Sequence, residues 1–112
     1  METSFNGFGE NAATFAVQDG VKPGMPVKMA GNGEVGPCAA TDKFCGVALS
    51  VRGGYASVQL SGYVRLPYSG KAPAVGWQSL SAAADGKVQS AASGGREYLV
   101  VDANDSTCGF VL

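Results

Sequence analysis

Tyr55-Ala56-Ser57-Val58-Gln59-Leu60-Ser61-Gly62-Tyr63-Val64-Arg65-Leu66-Pro67-Tyr68 is the stretch that decides the fold. Ala56, Val58, Leu60, Gly62, Val64, Leu66 and Tyr68 fall on one side, and Tyr55, Ser57, Gln59, Ser61, Tyr63, Arg65 and Pro67 on the other. This two-residue period is the pleat of a strand with one buried face. It holds over thirteen positions, whereas a strand usually has about five or six residues. Gly62 lies near the middle and marks a bend or bulge, so the stretch reads as two strands sharing a corner. Such corners curl a small sheet into a barrel.

The same pattern extends in both directions. Upstream, Cys45, Val47, Leu49 and Val51 alternate with Gly46, Ala48 and Ser50, and Arg52-Gly53-Gly54 turns the chain into Tyr55. Ala13, Phe15 and Val17 share one face of an earlier strand that Asp19-Gly20 ends. Pro26 cannot donate to a ladder, so it belongs at an edge or a strand start. Val27–Ala30 and Glu34–Cys38 form a hairpin across Asn32-Gly33, the pair preferred in a type I′ turn. Downstream, Trp77–Ser81, a turn at Asp85-Gly86, a loop over Ala91–Arg96, and strands at Glu97–Val101 and Thr107–Leu112 complete the pass.

A repeat is visible. Residues 24–49 run from Gly24-Met25-Pro26-Val27 through Asn32-Gly33 to Cys45-Gly46-Val47. Residues 76–112 run from Gly76-Trp77-Gln78-Ser79-Leu80 through Asp85-Gly86 to Cys108-Gly109-Phe110. Each reads as strand, turn, strand and a closing Cys-Gly-apolar strand, with Cys45 and Cys108 in matching places. Gly33 and Cys45 are 12 positions apart and Gly86 and Cys108 are 22, which implies an insertion in the second unit.

Composition agrees with a β-scaffold. The 112 residues suit one domain. Seventeen glycines and five prolines supply turns, while 46% of the residues are apolar. There are thirteen valines and no isoleucine; a β-branched side chain suits a pleated surface. No segment carries a 3.6-residue apolar stripe over three turns. The expected fold is all-β: a small barrel or sandwich of about 8–10 short strands, with a duplicated hairpin module. Residues 1–11 read as a flexible N-terminal arm and 12–112 as a single β domain. The arm carries Phe5 and Phe8 while Gly7 and Gly9 break any periodicity; two aromatics in a loose end suit a segment that folds onto something, either the domain's own core or a partner chain.

Chemistry is scarce. Net charge is −1, and the eight basic residues are scattered singly, so no nucleic-acid partner is expected. No apolar run approaches the roughly 20 residues needed to span a membrane. Met1-Glu2-Thr3-Ser4 does not open a secretory signal. With that start, three cysteines (Cys38, Cys45 and Cys108) read as free thiols in a reducing cytosol. The chain has no histidine, the commonest general base, and no Cys-x-x-Cys pair, so neither a catalytic site, a cofactor nor a metal is expected. Asp102-Ala103-Asn104-Asp105 has the look of part of a calcium loop but lacks its glycine and distal glutamate. Exposed aromatics are the remaining hint. Tyr55 and Tyr63 lie on the polar side of the long alternating run and are candidate partner-binding residues, with Phe5 and Phe8. A glycan platform would use Tyr55, Tyr63 and Trp77.

The order of these motifs resembles a known family. Lys22-Pro23-Gly24-Met25-Pro26-Val27, Asn32-Gly33-Glu34-Val35, Asp42-Lys43-Phe44-Cys45-Gly46-Val47-Ala48-Leu49 and Tyr55–Val64 are followed by Gly76-Trp77-Gln78-Ser79-Leu80 and Asp85-Gly86-Lys87-Val88. The series is similar to the small capsid decoration, or cement, proteins of tailed bacteriophages and prophages, over residues 12–112. The resemblance implies a structural virion protein made in the bacterial host cytoplasm. It would sit on the capsid exterior, bind the phage major capsid protein and assemble as a homo-oligomer, a trimer above all. It implies no enzyme activity. Glycan binding, or a head-fibre or tail role, is the alternative.

Overall fold

The computed structural model describes residues 11–92 and 95–112. The expected arm, with Phe5 and Phe8, lies outside them apart from Asn11. So do Ser93 and Gly94 of the expected loop; Arg96 of that loop already belongs to a strand. Ten strands follow one another: β1 (Asn11–Val17), β2 (Pro26–Gly31), β3 (Glu34–Pro37), β4 (Gly46–Arg52), β5 (Tyr55–Ser61), β6 (Tyr63–Pro67), β7 (Gly76–Ala82), β8 (Val88–Ser90), β9 (Arg96–Ala103) and β10 (Thr107–Val111). The protein is all-β, as its pattern predicts. Gly62, at φ +98°, makes the corner between β5 and β6.

The strands form two sheets. One is a closed barrel in the order β1-β3-β2-β4-β5, and the other has the order β6-β10-β9-β7-β8. Reading each from its first strand gives one topology twice. β1 pairs antiparallel with β5 and parallel with β3. β6 pairs antiparallel with β10, and Tyr68, just past β6, meets the start of β8 through one parallel bridge to Val88. The equivalence reaches single bonds. Gln18 N–H donates to the Val35 carbonyl at 2.9 Å, and Ser69 N–H to that of Val88 at 2.8 Å. Val17 N–H donates to Gly54 at 3.1 Å, and Tyr68 N–H to Ser106 at 3.3 Å. The β4–β5 ladder skips Leu49, and the β9–β10 ladder skips Val101.

The repeat unit is therefore a five-stranded module, β1–β5 and then β6–β10, rather than a hairpin with an insertion. Its period is 51 positions from Val17 to Tyr68, 52 from Val58 to Phe110 and 53 from Val35 to Val88. Cys45 and Cys108 are not cognates. Cys108 faces Leu66 on β6 as Ala56 faces Phe15 on β1. Cys45 lies just before β4, the fourth strand of its module, whereas Cys108 is in the fifth of the other. The shared Cys-Gly pair misaligned the units by one strand.

Two further expectations are corrected. Gly33 has φ +66° but Asn32 has no positive φ, so their turn is not type I′, which needs both. That geometry occurs at Asp85 (φ 62°, ψ 35°) and Gly86 (φ 75°). Leu60, expected inside with Ala56 and Val58, is 37% exposed, whereas Gln59 from the opposite face is buried. Gln59 stays on the outer side of β5, where it bonds the carbonyls of Ser61 and Tyr63, and Leu60 is the residue that the β1–β5 ladder skips between Gln59 and Ser61, a bulge that breaks the alternation.

Each module has its own core. Val27, Val35, Ala48, Ala56 and Val58 fill the first and Leu80, Val88, Val100, Cys108 and Phe110 the second, with Val35 and Val88, Ala48 and Val100, Ala56 and Cys108, and Val58 and Phe110 at cognate positions. The first module lends the second two residues, Phe44 and Val47. Phe44 stacks on Tyr98 with ring centroids 5.1 Å apart and meets Phe110 edge-on at 6.0 Å. Tyr98 Oη donates to the Phe44 carbonyl at 3.1 Å. The β3–β4 loop also extends the second sheet. Thr41 N–H donates to Ala82, and Ala82 N–H donates to Asp42, each at 2.8 Å.

Candidate functional site

Where the modules join, three residues of an outer row of the first are buried and the fourth, Ala12, is exposed. Pro26, Val47, Gln59 and Ala12 stand side by side across β2, β4, β5 and β1. Pro26 is fully buried, Val47 is 4% exposed and Gln59 3%. Gln59 Nε2 donates to the carbonyls of Ser61 at 3.0 Å and Tyr63 at 3.1 Å, which fixes the corner between the modules. Val47 lies with Val64 and Leu66 of β6 along one shallow groove.

The cognate row of the second module faces outward. It runs Trp77, Leu99, Val111, Tyr63 across β7, β9, β10 and β6. Trp77 is 68% exposed, and the other three are half-buried. Four strands at about 4.8 Å spacing put Trp77 and Tyr63 some 14 Å apart, with two aliphatic side chains between them. Sequence reading singled out Tyr63 and Trp77 but missed Leu99 and Val111. Each sits in a run of apolar residues, and only the pairing shows that they share a face.

Beside this row lies a polar cluster. Arg65 Nη1 donates to Asp102 Oδ1 at 2.7 Å and to Tyr63 Oη at 3.1 Å, and Arg65 Nε donates to Thr107 Oγ1 at 2.9 Å. The Tyr63 and Asp102 bonds hold the guanidinium above its usual pKa, so it stays charged. The cluster crosses Gly109, where a Cβ would fall onto the Tyr63 hydroxyl. Asp102 is thus engaged in an ion pair. Asn104 Oδ1 accepts N–H groups from Ser106 and Thr107, both at 2.9 Å, and closes the β9–β10 turn. The residues that suggest a calcium loop serve the fold.

Tyr55 sits elsewhere. It opens β5 beside Ala16 and Arg52 and is 59% exposed. Tyr63 follows the far end of β5, so these two candidates are not brought together. Phe5 and Phe8 lie outside the described residues.

The thiols are poorly suited to reaction. Burial pushes Cys38 and Cys108 up to about 11, and raises Cys45 as well. Nucleophilic attack needs the thiolate, which a raised pKa withholds at neutral pH. Cys38 lines an open groove of about 500 Å³ between the modules, with Lys22, Met25, Pro67 and Asp85. Lys28 and Asp42 pair at 2.6 Å, and Asp42 also accepts the Ala39 N–H at 2.9 Å. These bonds raise the lysine and lower the aspartate, and they pin the loop that carries Phe44. Among the described residues no cluster of three His, Cys, Asp or Glu could hold a metal, and no helix is long and apolar enough to cross a membrane. Compared with known proteins, the chain matches no family model and no curated protein.

Proposed function

We propose that this chain is a structural virion protein that decorates a tailed-phage capsid by binding the outside of the major capsid protein lattice. The observation that carries the reading is its surface. The large apolar side chains left exposed include Met29, Leu49, Tyr55, Leu60, Val75 and Trp77, while Lys28, Asp42, Arg65 and Asp102 are tied in pairs. Trp77 belongs to a continuous row with Leu99, Val111 and Tyr63 across four strands, and a contiguous apolar patch supports contact with a macromolecule where scattered side chains would not. The motif order quoted above supports the rest: it resembles the order of the cement proteins. The arm with Phe5 and Phe8, and the surface around Tyr55, supply the capsid contact. The aliphatic pair between Tyr63 and Trp77 favours a protein face over a glycan platform.

A decoration protein works by linkage. It binds the expanded lattice better than the unexpanded one and so stabilises the expanded state. Many copies on one shell act together. The test uses shells of the major capsid protein encoded in the same genome. Purified chain should pellet with expanded shells to saturation and remain in solution with unexpanded ones. Failure to pellet with either, or binding that Trp77→Ala abolishes only on a glycan array, would refute the proposal.

A further inference from the structure

We infer that Asn32 is a site of spontaneous covalent modification: it converts to aspartyl and isoaspartyl through a cyclic imide with the Gly33 nitrogen, and the conversion loosens the seam between β1 and β3. The inference does not depend on what the protein decorates. Asn32 and Gly33 are the two central residues of the β2–β3 turn, and both are exposed. The Asn32 side chain makes no hydrogen bond among the described residues. Gly33 has φ +66°, and a Cβ placed on it would meet nothing within 4 Å. Ring closure needs the Gly33 nitrogen to swing onto Asn32 Cγ, and a residue without a Cβ, standing in open space, resists that rotation least. The other described asparagines are held. Asn11 Nδ2 donates to Ser61 Oγ at 3.2 Å, and Ala12 follows it. Asn104 Oδ1 accepts the Ser106 and Thr107 N–H groups at 2.9 Å, and Asp105 follows it. The Asp85-Gly86 turn offers no amide to lose.

In the first step the Gly33 nitrogen lone pair bonds to Asn32 Cγ. The Cγ–Nδ2 bond breaks, and Nδ2 leaves as ammonia with the proton that the Gly33 nitrogen gives up. The imide then takes up water at one of its two carbonyls. Opening at Cγ leaves an aspartyl residue. Opening at the Asn32 main-chain carbonyl leaves an isoaspartyl residue, whose main chain runs through Cβ. Both products exchange a neutral amide for a carboxylate, and the second also lengthens the turn by one atom. The turn is sensitive to either change. The Gly33 carbonyl accepts the Ala16 N–H at 3.0 Å, and Ala16 pairs with Glu34 where β1 and β3 close the barrel. A Cβ on Gly31 would meet Glu34 Oε1 at 3.4 Å, so that carboxylate lies at the turn. The new charge stands near a like charge, and the longer main chain moves the carbonyl that Ala16 needs.

Purified full-length chain, held in warm, mildly alkaline buffer and sampled over time, tests the inference. Peptide mapping by mass spectrometry places each change on its residue, and an isoaspartyl methyltransferase labels the isoaspartyl carboxylate. Residue 32 should lose its amide and take up methyl label while Asn11 and Asn104 stay intact. Asn6, which also precedes a glycine, is resolved from Asn11 by fragment spectra. Asn32→Gln, whose longer side chain closes the ring far more slowly, should stay unlabelled at that position. Hydrogen exchange of the Ala16 N–H should be faster in the aged wild type than in the fresh protein, with the β9–β10 amides unchanged, and the aged Asn32→Gln chain should keep its Ala16 protection. An Asn32 that is still intact when a synthetic peptide of residues 30–36 has fully converted overturns the site. An aspartyl product without isoaspartyl overturns the imide route. A converted chain whose Ala16 exchange matches that of fresh protein overturns the effect on the seam.

Discussion

Gly46 and Gly109 are both followed by a core residue, yet they are glycines for different reasons. A Cβ on Gly46 would fall onto the Gln59 carbonyl oxygen and reach Val58 Cγ1 at 2.8 Å. Backbone cannot swing aside there, and β4 would have to move away from β5. At Gly109 the obstructing atoms are the tips of Tyr63 and Asp102, which can rotate at the cost of the Arg65 cluster. Gly46→Ala should therefore lower stability by about 2–3 kcal/mol, toward the upper end of overpacking costs, and Gly109→Ala by less. Urea unfolding of the two variants checks the order. The thiols add a pH dependence. Cys38 and Cys108 have folded values of about 11 against 9.0 when unperturbed. Between those values the unfolded chain releases protons that the folded chain keeps. Stability should fall as pH rises from 9 to 11 and should be insensitive to these groups below 9. Cys108→Ala, which installs the residue found at its cognate Ala56, should flatten that slope.

Among the elements, the β3–β4 loop does more than connect. It adds Thr41 and Asp42 to the second sheet and delivers Phe44 to the Tyr98 ring. Phe44→Ala should cost about 3–5 kcal/mol, as deletion of a buried aromatic does. The measured loss should appear in one cooperative unfolding transition, because the residue belongs to one module by sequence and to the other by packing. Separate unfolding of two modules would contradict this. The Asp85-Gly86 turn makes a smaller claim. Asp85 holds φ +62°, a left-handed conformation that Asn or Gly accepts and a β-branched residue resists. Asp85→Val should destabilise by about 1–2 kcal/mol, and Asp85→Gly should be near neutral.

Strands were the legible part of this chain. The alternation over residues 56–68 gave β5, β6 and their corner at Gly62, and Pro26 opens β2 as its missing N–H requires. The repeat was visible, but its phase was not. Cys-Gly-apolar recurs on strands with different places in the two modules, and a short pattern cannot tell the fourth strand of a module from the fifth. The pairing partners that could, such as Val17 with Val35 and Tyr68 with Val88, are about 20 residues apart in sequence. Gln59 is buried and Leu60 exposed for a related reason, with a bulge in the β1–β5 ladder at Leu60 added to it. Period two separates two faces of a strand but does not say that another module will cover the polar one. The Trp77 row was half legible, because Trp77 and Tyr63 attract notice as aromatics while Leu99 and Val111 read as ordinary core.

At the scale of the whole molecule, duplication accounts for both the architecture and the surface. A module that buries its outer row against the next one leaves that row open on the last. In the proposed decoration role the arm is a second attachment point. Deleting residues 2–10 should leave the melting profile of the β domain unchanged while occupancy on expanded shells falls; unchanged occupancy on purified heads would refute the role given to Phe5 and Phe8. The central claim is that the chain acts by adhesion that favours one state of a shell. Differential scanning calorimetry of shells with and without saturating protein tests it most directly. The melting temperature of expanded shells should rise with added protein and that of unexpanded shells should stay where it is. Equal shifts in both, or none in either, would contradict the account.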